Sequence, residues 1–76
     1  MTISKLTDFH PDDFVYIGLE RQYGVVVKVE ESYVFVNRQY TAFESRIGMF
    51  KPEYLIRVNP EGKFLELYKY LQSNPI

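Results

Sequence analysis

The run YGVVVKVEESYVFVNR, Tyr23 to Arg38, holds two β-branched and aromatic segments, Val25 to Val29 and Tyr33 to Val36. They lie on either side of the polar trio Glu30, Glu31 and Ser32. Strand-forming residues flanking a short polar connection predict a β-hairpin. In its first arm Val25, Val27 and Val29 alternate with Val26, Lys28 and Glu30. The first set is wholly apolar and is expected to face the core. In the second arm Val34 and Val36 oppose Tyr33, Phe35 and Asn37, and period alone does not decide which set points inward.

Outward from the hairpin the chain reads as material that closes a small barrel on it. Residues 1–13 form an entry segment in which Leu6 and Phe9 tuck under the core and His10-Pro11-Asp12-Asp13 makes a turn. Phe14 to Ile17 predicts a first strand, stopped by Gly18, with Leu19 to Gln22 a polar loop. After the hairpin, Asn37 to Ser45 is polar and irregular. A fourth strand is expected over about Arg46 to Phe50, with Gly48 marking a bulge or bend. Pro52 to Leu55 fits one tight helical turn, and Ile56 to Val58 a short last strand. The period then changes: Phe64, Leu67, Tyr68 and Leu71 share one face of an α-helix over about 60–72. Asn59 suits its cap and Pro60 its first position, while Gly62 weakens the first turn, so that the start can slip to Gly62 or Lys63.

Seventy-six residues make one domain near the small end of what folds unaided. The absence of cysteine removes a disulfide framework and any Cys-based zinc site, so the core must carry stability. Seven tyrosines and six phenylalanines supply the area for one. No apolar run approaches the roughly 20 residues that span a bilayer, and MTISKLTDFH lacks the apolar stretch of a signal peptide. The expectation is a soluble, cytoplasmic protein without membrane contact. The net charge of −1 argues against strong non-specific attraction to nucleic acid, although residues 21–60 are mildly basic and residues 1–20 acidic.

The order of elements, with a helical turn just before the last strand, resembles a small Src-homology-3-like barrel of the KOW type over residues 9–58. Asp12-Asp13-Phe14-Val15-Tyr16 is similar to the "G-D-x-V" opening of such domains, with Asp12 in place of the glycine. Tyr23-Gly24-Val25-Val26 is similar to their "x-G-x-V" second strand, and Phe50-Lys51-Pro52-Glu53-Tyr54-Leu55 to their closing "F-x-P-x-x-L". The resemblance implies a mainly β chain: a five-stranded antiparallel SH3-like barrel, here with an added C-terminal α-helix. It implies no particular activity, because this fold carries many functions.

Enzyme chemistry has little to work with in this sequence. His10 is the single histidine and precedes a proline in a turn. Asp12 and Asp13 are adjacent, so on a strand they would point to opposite faces rather than form a dyad. Gly18, Gly24, Gly48 and Gly62 are scattered and make no phosphate loop. The expectation is therefore a non-catalytic chain without cofactor or metal. Two binding readings remain. Tyr and Arg enrich interface hot spots, and both faces of the hairpin are partly apolar, so one face needs a cover. Tyr16, Arg21, Lys28, Tyr33, Phe35, Arg38 and Tyr40 are the candidate partner-binding residues. The first reading is an accessory, modulator or phage-type inhibitor protein docking on a larger protein. The alternative is an RNA- or DNA-binding barrel that stacks bases on those aromatics between the cations. Self-association through an exposed strand edge is the third.

Overall fold

The computed structural model describes residues 8–39 and 46–73. Its elements are β1 (Phe14–Ile17), β2 (Gln22–Val29), β3 (Val34–Arg38), β4 (Ile47–Phe50), a 3-10 turn (Pro52–Tyr54), β5 (Leu55–Arg57) and α1 (Lys63–Ser73). The chain is mainly β: the strands pair antiparallel in one sheet of order β4-β3-β2-β1-β5. Among the described residues β4 and β5 are the two outer strands and are not bonded to each other, so the sheet is unclosed. No helix among the described residues is long and apolar enough to cross a membrane.

The hairpin forms where its residue types require it, but β2 does not keep a strict two-residue period. Val26 pairs with Val36, and the next pair is Lys28 with Phe35, so Val27 is an extra residue without a partner. A bulge of this kind shifts every later side chain of the strand to the other face. Val26 and Val29, three apart in sequence, therefore both reach the same core, while Val27 is exposed. The expected core set of Val25, Val27 and Val29 is thus corrected to Val26 and Val29 on that side. Val25 is buried as well, on the opposite face. Gly48, where a bulge was expected, lies in regular register opposite Val36. A side chain there would instead strike the Arg38 guanidinium, 2.8 Å from its would-be Cβ. β3 also runs further than its apolar pattern suggests: Asn37 and Arg38 belong to it.

Both faces of the sheet are covered in part. On one, Val15, Ile17, Val26, Val34, Val36, Phe50 and Leu55 close over Phe9 from the entry segment; Leu6 lies outside the described residues. On the other, α1 lies across Phe14 and Val25 with Phe64, Leu67, Tyr68 and Leu71, the face expected from their spacing. Phe14 is the hub of this second layer. Its ring stacks on Tyr23 with centroids 5.3 Å apart and meets the edge of Tyr68 at 5.6 Å. The end of the helix is held by the buried Asn37, whose Nδ2 donates to the Leu71 carbonyl at 2.9 Å. α1 starts at Lys63 because Gly62 has φ +58, a left-handed conformation that ends the approach rather than continuing a helix.

Only Leu71 is fully buried on the helix, at 1% exposure, whereas Leu65 is 39% exposed. Leu71→Ala should therefore cost about 2–5 kcal/mol of stability, the usual penalty for an emptied leucine site. Leu65→Ala should fall within about 0.5 kcal/mol of wild type, as surface changes do. Urea unfolding of the two variants measures both, and equal losses would contradict the docking of α1 described here.

Candidate functional site

The helix is too short to cover the whole outer face. On β2, β3 and β4 it lies over the positions of Val25 and Asn37 and stops there. Beyond it Lys28, Phe35 and Met49 are direct cross-strand neighbours, so their side chains form one row on the side away from the core. Tyr33, two residues before Phe35, falls on the same side by alternation. Tyr33 is 39% exposed and Met49 58%, with Phe35 half-buried between strands. Among the described residues this is an apolar sheet face that no other element covers.

Lys28 is the one cation in the row, and its ties are weak. Its ammonium lies 4.7 Å from the Phe35 ring centroid and 3.0 Å from the Glu30 carboxylate. Both Lys28 and Glu30 are more than half exposed. A cation–π contact at an exposed site contributes about 0.5–1 kcal/mol, and an exposed ion pair about 0.2–1 kcal/mol. Lys28 can therefore leave the Phe35 ring at little cost, and the ring is then open to an arriving apolar group.

The seven candidate residues do not form one cluster. Lys28, Tyr33 and Phe35 come together. Tyr16 sits on the other side of the helix, half-buried and edge-on to Tyr23 at 5.1 Å, opposite the exposed Ile56 of β5. Arg21 occupies the β1–β2 turn at φ 54 and lines a shallow cleft of about 220 Å³ with Gln22, Tyr23, Gln39 and Leu67. Tyr40 lies outside the described residues. Arg38 corrects the expectation most sharply: it is buried, at 5% exposure. Its Nη1 donates to Glu20 at 2.6 Å, its Nε donates to the Arg46 carbonyl at 3.1 Å, and its guanidinium lies 5.6 Å from the Phe50 ring. Strand alternation sets it on the side of Val34 and Val36, the core side. Gly48, which lacks a side chain opposite, gives the guanidinium its room.

Sequence reasoning misses Met49 of the row, in a strand where Gly48 is the more conspicuous residue, and the exposure of Val27 at the bulge, because a strict alternation assigns it to the core. The signal for Val27 is the continuous Val25-Val26-Val27 run, which no single-faced strand needs.

A cleft of about 420 Å³ lies elsewhere, lined by Asp12, Asp13, Phe14, Arg57, Asn59 and Tyr68 among others. Its polar groups are engaged in holding the entry turn. The His10 amide donates to Asp13 Oδ2 at 2.8 Å, and the Tyr68 hydroxyl donates to the Asp12 carbonyl at 2.8 Å. Burial, with the Asp12 and Asp13 charges beside it, raises the Tyr68 hydroxyl above its ordinary value of 10.0. Comparison with protein-family models, with curated proteins and with solved structures gave no match to this chain.

Two outcomes follow from this geometry. Glu20→Gln removes the carboxylate to which Arg38 Nη1 donates, and a hydrogen bond to a charged group is worth about 1.5–3 kcal/mol. Since Glu20 is partly exposed, a loss at the lower end of that range is expected in chemical denaturation, with no change in the sheet. The second concerns alkaline pH. Because the folded state holds the Tyr68 proton more tightly than the unfolded chain does, this stability is complete below pH 10 and is lost as pH rises through the folded value. Tyr68→Phe should then show a shallower fall of stability above pH 10 than wild type. Parallel curves would refute the role of that hydroxyl.

Proposed function

We propose that this protein is a small non-catalytic module, an SH3-like barrel with an added helix, that docks on a larger protein through the outer face of β2, β3 and β4. The observation that carries this reading is the row of Tyr33, Phe35 and Met49 beyond the end of α1, which no element among the described residues covers. Aromatic and methionine side chains gathered on a face with a single mobile cation match the composition of interface cores, where charge is depleted. The order of strands, with the 3-10 turn between β4 and β5, supports the barrel part of the reading. The accessory or modulator role rests on the small size of the chain and on that face.

The nucleic-acid alternative asks for aromatic platforms between free cations. Arg38 is buried on the opposite side of β3 from Tyr33 and Phe35, and Lys28 stands beside the Glu30 carboxylate. With a net charge of −1, little electrostatic attraction to phosphate remains.

Affinity capture from the native lysate, with and without nuclease, tests the choice. A discrete protein retained through nuclease treatment and lost with Tyr33→Ala is the expected result. Tyr33→Ala should leave the melting temperature nearly unchanged, because its side chain adds little to the core. Recovery that collapses with nuclease would transfer the site to nucleic acid, and a large loss of stability in Tyr33→Ala would make the residue structural.

A further inference from the structure

The bulge that turns Lys28 outward also opens a hole in the outer face. Val27 has no partner on β3 and forms one wall of a cleft of about 220 Å³, with the last turn of α1 as the other wall. Val25, Asn37 and Leu71, all buried, make its floor, and the exposed Asp12, Val27 and Gln72 make its rim. The cleft adjoins the apolar row: Val27 directly precedes Lys28, and Asn37 lies two residues beyond Phe35 on the same side of β3. Small-molecule sites have roughly 300–1,000 Å³, so this smaller space suits one side chain of a docked protein rather than a whole ligand.

The chemistry of the rim selects that side chain. Asp12 is fixed against β2 by its amide, which donates to the Val26 carbonyl at 2.8 Å. Its carboxylate accepts no hydrogen bond and joins no ion pair among the described residues. The same charge reaches the Tyr68 hydroxyl and helps to hold it protonated. Gln72 Nε2 donates to that hydroxyl at 3.1 Å, which leaves Gln72 Oε1 as an acceptor at the rim. The C-terminal end of a helix carries partial negative charge, and no basic residue in the last turn of α1 offsets it. Among the described residues no lysine or arginine lines the cleft, and Lys28 of the neighbouring row pairs with Glu30 at 3.0 Å. A carboxylate, an amide oxygen and a helix pole thus converge on an apolar-walled space.

We infer that the cleft receives an arginine side chain of the docked protein, with its stem against Val27 and Leu71 and its guanidinium between Asp12 and Gln72. The planar guanidinium presents five donors in a fork, which meets two separate acceptors better than the point charge of lysine does. Its methylene stem lies on apolar surface while the charged head stays at the rim. The inference rests on the docking reading above, since apolar neighbours of that arginine then cover Phe35 and Met49.

The probe is a display library of random linear peptides selected on the immobilised protein, followed by fluorescence anisotropy of the most enriched sequence as a synthetic peptide. Enriched sequences should carry an arginine among apolar residues. Replacing that arginine by citrulline, which keeps its shape without the charge, should weaken binding about two- to fivefold, the scale of an exposed ion pair. Asp12→Asn in the protein should do the same. Asn readily adopts the left-handed backbone that residue 12 has, with φ 74, so this variant removes the charge without straining the turn. Citrulline and Asp12→Asn together should cost no more than either alone, because both remove one contact. Losses that multiply, enriched peptides without a cation, or no enrichment at all overturn the inference. Tyr33→Ala separates it from the docking reading. A peptide that loses affinity for Tyr33→Ala while its other losses multiply leaves the docking face standing and removes the arginine alone. Full affinity for Tyr33→Ala with coupled losses at Asp12 keeps the arginine in the cleft and removes the docking face.

Discussion

At Val27 the second strand carries one residue more than its partner, and the rest of the architecture follows from that insertion. A sheet this small has two faces to bury and, among the described residues, one short α-helix to help. Without the bulge, Val26 and Val29 would point to opposite sides, and the inner core would lose one of them. With it, both contribute to the layer around Val34 and Val36, while Lys28 and Phe35 turn outward. The extra twist that a bulge gives a strand also bends β2, which lets it serve two layers: Val25 under the helix and Val26 in the opposite core.

The outer layer is secured at one point more than at others. Asn37 reaches from the middle of the buried sheet to the carbonyl of Leu71, so the apolar end of α1 and a polar sheet residue are fixed together. Phe14, Tyr23 and Phe64 add an aromatic cluster with ring separations between 4.8 and 6.3 Å. Such ring pairs contribute roughly 0.5–1.5 kcal/mol each beyond their buried area. Helix position and exposed face are thus two results of one arrangement, because where α1 ends, the row Lys28–Phe35–Met49 begins.

The two arginines at the end of the hairpin show how geometry reassigns a residue that composition would give to a surface. Arg38 and Arg46 each donate from Nε to the other's backbone carbonyl at 3.1 Å. Arg38 is further neutralised by Glu20 from the β1–β2 turn, 18 residues away. That pairing joins a loop to a strand across the sheet. It holds a cation on the side of Val34 and Val36, away from the row of Tyr33, Phe35 and Met49.

Much of the local structure was legible in the residues themselves. The hairpin about Glu30-Glu31-Ser32, the strand Phe14–Ile17, the turn after Pro52 and the buried stripe of Phe64, Leu67, Tyr68 and Leu71 follow from propensity, turn chemistry and period, which act over a few neighbouring residues. The slip of α1 to Lys63 was foreseeable from Gly62. What only the tertiary structure decided was the facing of side chains. The bulge at Val27 depends on how two strands register against each other, the burial of Arg38 on a glycine opposite and a glutamate 18 positions earlier, and the exposure of Phe35 and Met49 on where a helix from the far end of the chain stops. These are distances between residues remote in sequence. An alternating pattern cannot encode them when both sides of the alternation are apolar.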